Sequence, residues 1–162
     1  PKFTDRPFHT VIVNIVASCK PKLIEDLHYL FCYENGFNTY RITFYDNFCS
    51  SVNDSDNYYL NMELLFDGNE IKDLDIISHA QTELIKLGLF SSVEDFVFIK
   101  DEILPYGFPL PTVGNIAVFD ETREQIKQYS IKNMVSAGVL SEPDLFFQGE
   151  VVASLFDKIE CL

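Results

Sequence analysis

The segment that most restricts this chain is Ile103–Thr112, ILPYGFPLPT. Pro105, Pro109 and Pro111 crowd Tyr106 and Phe108 around Gly107. Each proline fixes φ and removes a backbone donor, so this run cannot occupy the middle of a sheet. Leu104, Phe108 and Leu110, each before a proline, are pushed toward extended geometry. The sequence therefore predicts a stiff, extended crossover between two strands. Two readings stay open: a rigid connector, or a platform that presents Tyr106 and Phe108 at low entropic cost.

The flanking chain alternates between strand and helix patterns. Phe8–Val16 is rich in β-branched residues and reads as a buried strand. Leu23, Ile24 and Leu27 would line one face of a short helix over Pro21–Leu27. His28–Tyr33 and Thr39–Tyr45 read as a hairpin around the Asn35-Gly36 turn. In the second strand Tyr40, Ile42 and Phe44 share one face, and Arg41, Thr43 and Tyr45 the other. A polar loop, Ser50–Asn57, leads to a strand over Tyr58–Phe66. Ile71–Leu87 has helical period, with Gly88 as its C-terminal stop. Val93–Lys100 reads as a strand before the proline segment, and Asn115–Phe119 as a short strand after it. Asp120 then suits an N-cap for a helix that Gly138 ends. Asp144–Phe147 reads as a last strand and Val151–Ile159 as a final helix. The order predicts one α+β domain, a mostly antiparallel β-sheet with helices packed on one face.

Composition narrows the function classes. In 162 residues, 25 acids face 12 bases, a net charge of −13. Phosphate backbones and anionic membranes require clustered Lys and Arg, so neither is an expected partner. No apolar run approaches the ~20 residues of a membrane-spanning helix. Cys19, Cys32, Cys49 and Cys161 form no C-x-x-C pair, and Cys32 and Cys49 fall in apolar runs as buried thiols. A reduced, cytoplasmic setting fits this usage. His9, His28 and His79 share no ligand spacing, so no metal site is expected; His79 reads as a helix-surface residue. The Asn53–Asn57 stretch has half the carboxylates of a calcium loop but neither its glycine nor its distal glutamate, and reads as a solvated loop.

Three phrases, in order, carry a resemblance: Tyr40–Phe48 (YRITFYDNF), Pro105–Pro109 (PYGFP) and Asp144–Gly149 (DLFFQG). Together they resemble the C-terminal part of flavin-dependent amine-oxidase-like proteins, in the branch with UDP-galactopyranose mutase and protoporphyrinogen oxidase. The resemblance covers most of residues 8–160. It implies that the first phrase lies in the antiparallel sheet of the substrate domain, that the second returns the chain toward the FAD domain, and that Gly149 approaches the flavin. It also implies FAD in a parent protein, an FAD-binding domain of the same parent chain as partner, and a role in sugar-nucleotide or surface-polysaccharide chemistry.

Two departures limit what this chain does alone. The seven glycines are too scattered to form G-x-G-x-x-G, so no pyrophosphate cradle is present. Glu150 stands where relatives carry Arg after the glycine, and a carboxylate sits poorly beside a pyrophosphate. The expectation is a substrate-domain fragment that binds no FAD and is inactive alone. The alternative is a free-standing, non-enzymatic domain that binds a ligand or a protein. No catalytic residue is expected: no G-x-S-x-G or other nucleophile motif occurs. The candidate substrate contacts are Arg41, Tyr45, Tyr58, Tyr106 and Phe108. Arg41 could grip a phosphate or carboxylate through paired N–H groups, or simply pair across the sheet with an acid such as Glu63. The tyrosines suit stacking on a sugar or base. A fragment cut from its FAD domain would also expose apolar surface and form a homo-oligomer.

Overall fold

A computed structural model describes residues 5–23, 26–48, 56–108, 110–129, 134–138, 141–142 and 148–160. The chain divides into two compact units, 7–109 and 1–6 with 110–162.

The larger unit is a five-stranded antiparallel sheet. Its strands are β1 (Phe8–Ala17), β2 (Tyr29–Phe31), β3 (Thr39–Phe44), β4 (Tyr58–Phe66) and β5 (Phe96–Phe108), in spatial order β2-β3-β4-β1-β5. Period-two patterning sends Val11, Val13, Ile15 and Ala17 of β1 to one face. Leu60, Met62, Leu64 and Phe66 of β4 and Ile42 and Phe44 of β3 join them. Cross-strand neighbours build continuous rows: Val13 opposite Met62 opposite Ile42, and Ile15 opposite Leu60 opposite Phe44.

One helix, α1 (Ile76–Lys86), covers this face with Ile76, Ala80 and Leu84. Asp75 Oδ1 caps it by accepting the Ser78 amide at 3.1 Å. The helix is therefore shorter than the expected Ile71–Leu87: Ile71 and Leu74 precede the cap yet still pack on the core. Gly88 at φ +76° ends it, with the Leu89 amide reaching Leu84 O at 3.1 Å. Glu83 of α1 is buried. Its carboxylate accepts the amides of Asn38 and Thr39 at 2.7 and 2.8 Å, the Thr39 hydroxyl, and His79 Nε2 at 3.0 Å. Glu83 thus fastens the entrance of β3 to α1. His79, expected on the surface, is half-buried in this network and also lies 3.0 Å from Asn38 Oδ1.

Several expectations are corrected here. The proline segment is not a crossover between strands. Ile103–Phe108 is the end of β5, an edge strand, and Pro105 falls in the register shift between Thr10/Leu104 and Phe8/Phe108, a position that suits a residue with no N–H. A capping box at Ser92–Asp95 delays β5 to Phe96. The expected short helix after Pro21 does not form at Leu23, whose φ of +66° is incompatible with it. Cys32 is half-buried rather than buried. Cys49, Asn53 and the expected strand Asp144–Phe147 lie outside the described residues.

The smaller unit contains α2 (Val113–Gln128) and α3 (Gln148–Glu160). The strand expected over Asn115–Phe119 is part of α2. Its N-cap is Thr112, not Asp120: Thr112 Oγ1 accepts the Asn115 amide at 3.3 Å. Pro111-Thr112 is a helix start that outweighs the β-branched run behind it, and Asp120 instead pairs with Arg123 one turn on. Asn115, 2% exposed, accepts the Asp5 amide at 3.1 Å and donates to the carbonyls of Asp5 and Leu110 at 2.9 Å each.

Candidate functional site

Of the candidate residues, Arg41 lies on the sheet face opposite α1. Arg41 of β3 lies opposite Glu63 of β4, and its Nε donates to Glu63 Oε1 at 3.0 Å while Nη2 forms a second contact to the same oxygen. Its guanidinium also stands 5.7 Å from the centre of the Tyr29 ring. The cross-strand partner weighed for Arg41 from sequence is therefore present. Next in the row pattern, Asn61 Nδ2 donates to Asn14 Oδ1 at 3.1 Å.

Around this polar centre runs a chain of aromatic rings. Phe48 meets Tyr29 at 5.3 Å, Tyr29 meets Phe31 at 6.4 Å, Phe31 meets Tyr40 at 5.8 Å, and Tyr40 meets Phe108 at 5.0 Å. Tyr33 stacks on Phe31, and His28 meets Phe48 edge-on. Tyr29, Phe31, Tyr33 and Phe48 are all exposed. Tyr40 was expected beside Ile42 and Phe44; the register shift between Thr39 and Arg41 diverts it to Phe31 and Phe108 instead. A groove of about 490 Å³ opens beside the strip, with Tyr33, Tyr40 and Phe37 in its wall and the carboxylates of Glu34, Asp67 and Glu70 around it.

The structure brings some sequence candidates together and separates others. Arg41 and Phe108 both touch the aromatic chain. Tyr45 lies in a single 3-10 turn after β3, which ends at Phe44, and so is not part of the strand that carries Arg41. Tyr58 starts β4 and packs against the core on the covered face. Tyr106 takes φ +57°, a strained value for a non-glycine residue, and its exposed ring lies 4.9 Å from His9. His9 Nδ1 and Thr10 Oγ1 are buried with no hydrogen-bond partner among the described residues. Gly149 belongs to the smaller unit, in the first turn of α3, where a Cβ would meet nothing within 4 Å. Sequence reasoning missed Tyr29, Phe31 and Tyr33; their i, i+2, i+4 spacing in the expected strand His28–Tyr33 was the available signal.

The smaller unit holds a second cavity, of about 670 Å³, lined by Ile126, Met134 and several charged side chains. Its cations are paired internally: Arg123 with Asp120, Lys127 with Glu124 at 2.7 Å, and Lys158 with Glu142 at 2.5 Å. Hydrogen bonds from Lys158 and Ser154 hold the Glu142 carboxyl below its ordinary range. Among the described residues, no group of three His, Cys, Asp or Glu side chains is placed to hold a metal ion, and no helix is long and apolar enough to cross a membrane.

No family model and no curated protein sequence matches this chain. Solved structures do. The chain is similar to reduced UDP-galactopyranose mutase, with a TM-score of 0.66 at 15% identity, over 83% of this chain and 29% of that one. It is also similar to a structure assigned as a protoporphyrinogen oxidase from Exiguobacterium sp. 255-15, with a TM-score of 0.59 at 15% identity, over 96% of this chain and 35% of that one. At this identity the likeness is one of fold, and the chain spans about a third of either neighbour's length.

Proposed function

We propose that this chain is the substrate-domain part of an FAD-dependent oxidoreductase or mutase and is inactive alone. The observation that carries the reading is the match of most of this chain to about a third of two much longer enzymes. FAD chemistry would come from an FAD-binding domain of the same parent. This chain's residues do not fit the cofactor's pyrophosphate: no glycine cluster exists, and Gly149 is an ordinary helical position with open space around it.

Within this reading, the open face of the sheet turns toward substrate. Ring faces at Tyr29, Phe31 and Tyr40 suit stacking on a sugar, and the groove carboxylates suit its hydroxyls. Glu63 already neutralises Arg41, and Glu34, Asp67 and Glu70 repel a further anion. The part of the substrate held here is therefore neutral and polyhydroxylated, and any phosphate is bound elsewhere in the parent. The link to sugar-nucleotide or surface-polysaccharide chemistry rests on the mutase neighbour.

The test is the product of the complete natural gene. It is purified beside residues 1–162, and visible absorbance is read after gel filtration with excess FAD. Flavin on the complete product and none on the short chain is the expected result. A complete product without flavin contradicts the reading and leaves the free-standing binding domain.

A further inference from the structure

We infer that β5 is a self-pairing edge through which two copies of this chain join their sheets antiparallel, centred on Asp101. This does not rest on the flavin reading. The two sheet edges are unequal: β2 has 3 residues and β5 has 13. Among the described residues β5 pairs only with β1, and no described strand takes up the backbone groups of its far side. Val97, Phe98, Ile103, Leu104 and Tyr106 along it are exposed. Exposure alone names no occupant; the order of residues does.

Two antiparallel strands related by a two-fold axis through the sheet must place one residue opposite its own copy, because opposed residues share a face. Each candidate centre therefore dictates every other pair. With Asp101 at the axis, Lys100 lies opposite Glu102, Ile99 opposite Ile103, and Phe98 opposite Leu104, each twice by symmetry. Centring on Lys100 sets Phe98 against Glu102 and Ile99 against Asp101. Centring on Glu102 sets Ile103 against Asp101 and Leu104 against Lys100. Only the Asp101 register matches opposite charges and like apolar groups, the pairs that stabilise neighbouring strands. The charged block that would repel an arbitrary strand is thus complementary to its own reverse. Asp101 facing its twin is unfavourable, and Pro105, opposite Val97, has no N–H to donate; both keep the association weak and reversible.

Sedimentation velocity over a concentration series tests this, with charge variants of surface residues. The unchanged chain should shift from monomer to dimer as concentration rises. Lys100→Glu alone and Glu102→Lys alone should each weaken the dimer about tenfold or more, since each creates two like-charged pairs. An equimolar mixture of the two variants should recover a heterodimer, and Lys100→Glu with Glu102→Lys in one chain should recover the homodimer. Asp101→Asn should tighten it. A monomer at the highest attainable concentration, or a dimer indifferent to these charges, overturns the proposal.

Discussion

The two faces of one sheet are built on opposite terms. On the covered face, Val13, Ile42, Leu60 and Met62 are shut against α1 and touch no solvent to speak of. On the open face, rings and charges meet each other while staying wet: Arg41 with Glu63 and Tyr29, Phe31 with Tyr33 and Tyr40. Burial makes the first face the source of stability. The second spends large apolar rings on exposed contacts that fold the chain only weakly, as the proposed role in substrate binding requires. The difference separates residues that hold the fold from residues available for recognition, although the strands alternate between them one residue at a time.

Variants break this contrast in graded ways. Leu84→Ala removes the side chain that α1 drives into the core and should cost about 3 kcal/mol, read from urea unfolding. Glu83→Ala should cost about 2–3 kcal/mol by orphaning the Asn38 and Thr39 amides at the mouth of β3. Amide exchange there should quicken before the rest of the sheet opens. Arg41→Ala, on the open face, should cost less than about 1 kcal/mol, because the pair with Glu63 is partly solvated. The smallest expected effect is electrostatic. The Ser78 hydroxyl and amide hold the Asp75 carboxyl below its ordinary range. A carboxyl lowered by folding contributes stability that is present above its unfolded pKa and lost as pH falls through its folded pKa. Asp75→Asn should therefore flatten the decline of the unfolding midpoint on acidification, and a slope unchanged by the substitution would argue against that cap.

The covered face was the legible part. The β-branched run Phe8–Val16 and the apolar stretch Tyr58–Phe66 each read as a strand, and both strands form, with Val11, Val13, Ile15, Leu60, Met62 and Leu64 buried. Errors arose where two local signals competed. Ile71 and Leu74 keep helical spacing, but the Asp75 cap sets the true start. Ile116, Val118 and Phe119 suggest a strand, but the Thr112 cap upstream commits them to α2. Much of the open-face site was not legible, for a different reason. Its contacts join β2, β3 and the end of β5 across long separations, and the bulge at Tyr40 turns that ring to the wrong side of a regular strand. Arg41 with Glu63 was readable because alternation places both on one face; Tyr29 and Phe31 had no charge to draw notice.

The division between faces is tested most directly by urea unfolding of two matched truncations, Met62→Ala on the covered face and Phe31→Ala on the open one. The account predicts a loss of about 3 kcal/mol for Met62→Ala and no more than about 1 kcal/mol for Phe31→Ala, with unchanged dependence on urea. Equal losses would mean that the aromatic strip is a second core, and would contradict its proposed role in recognition.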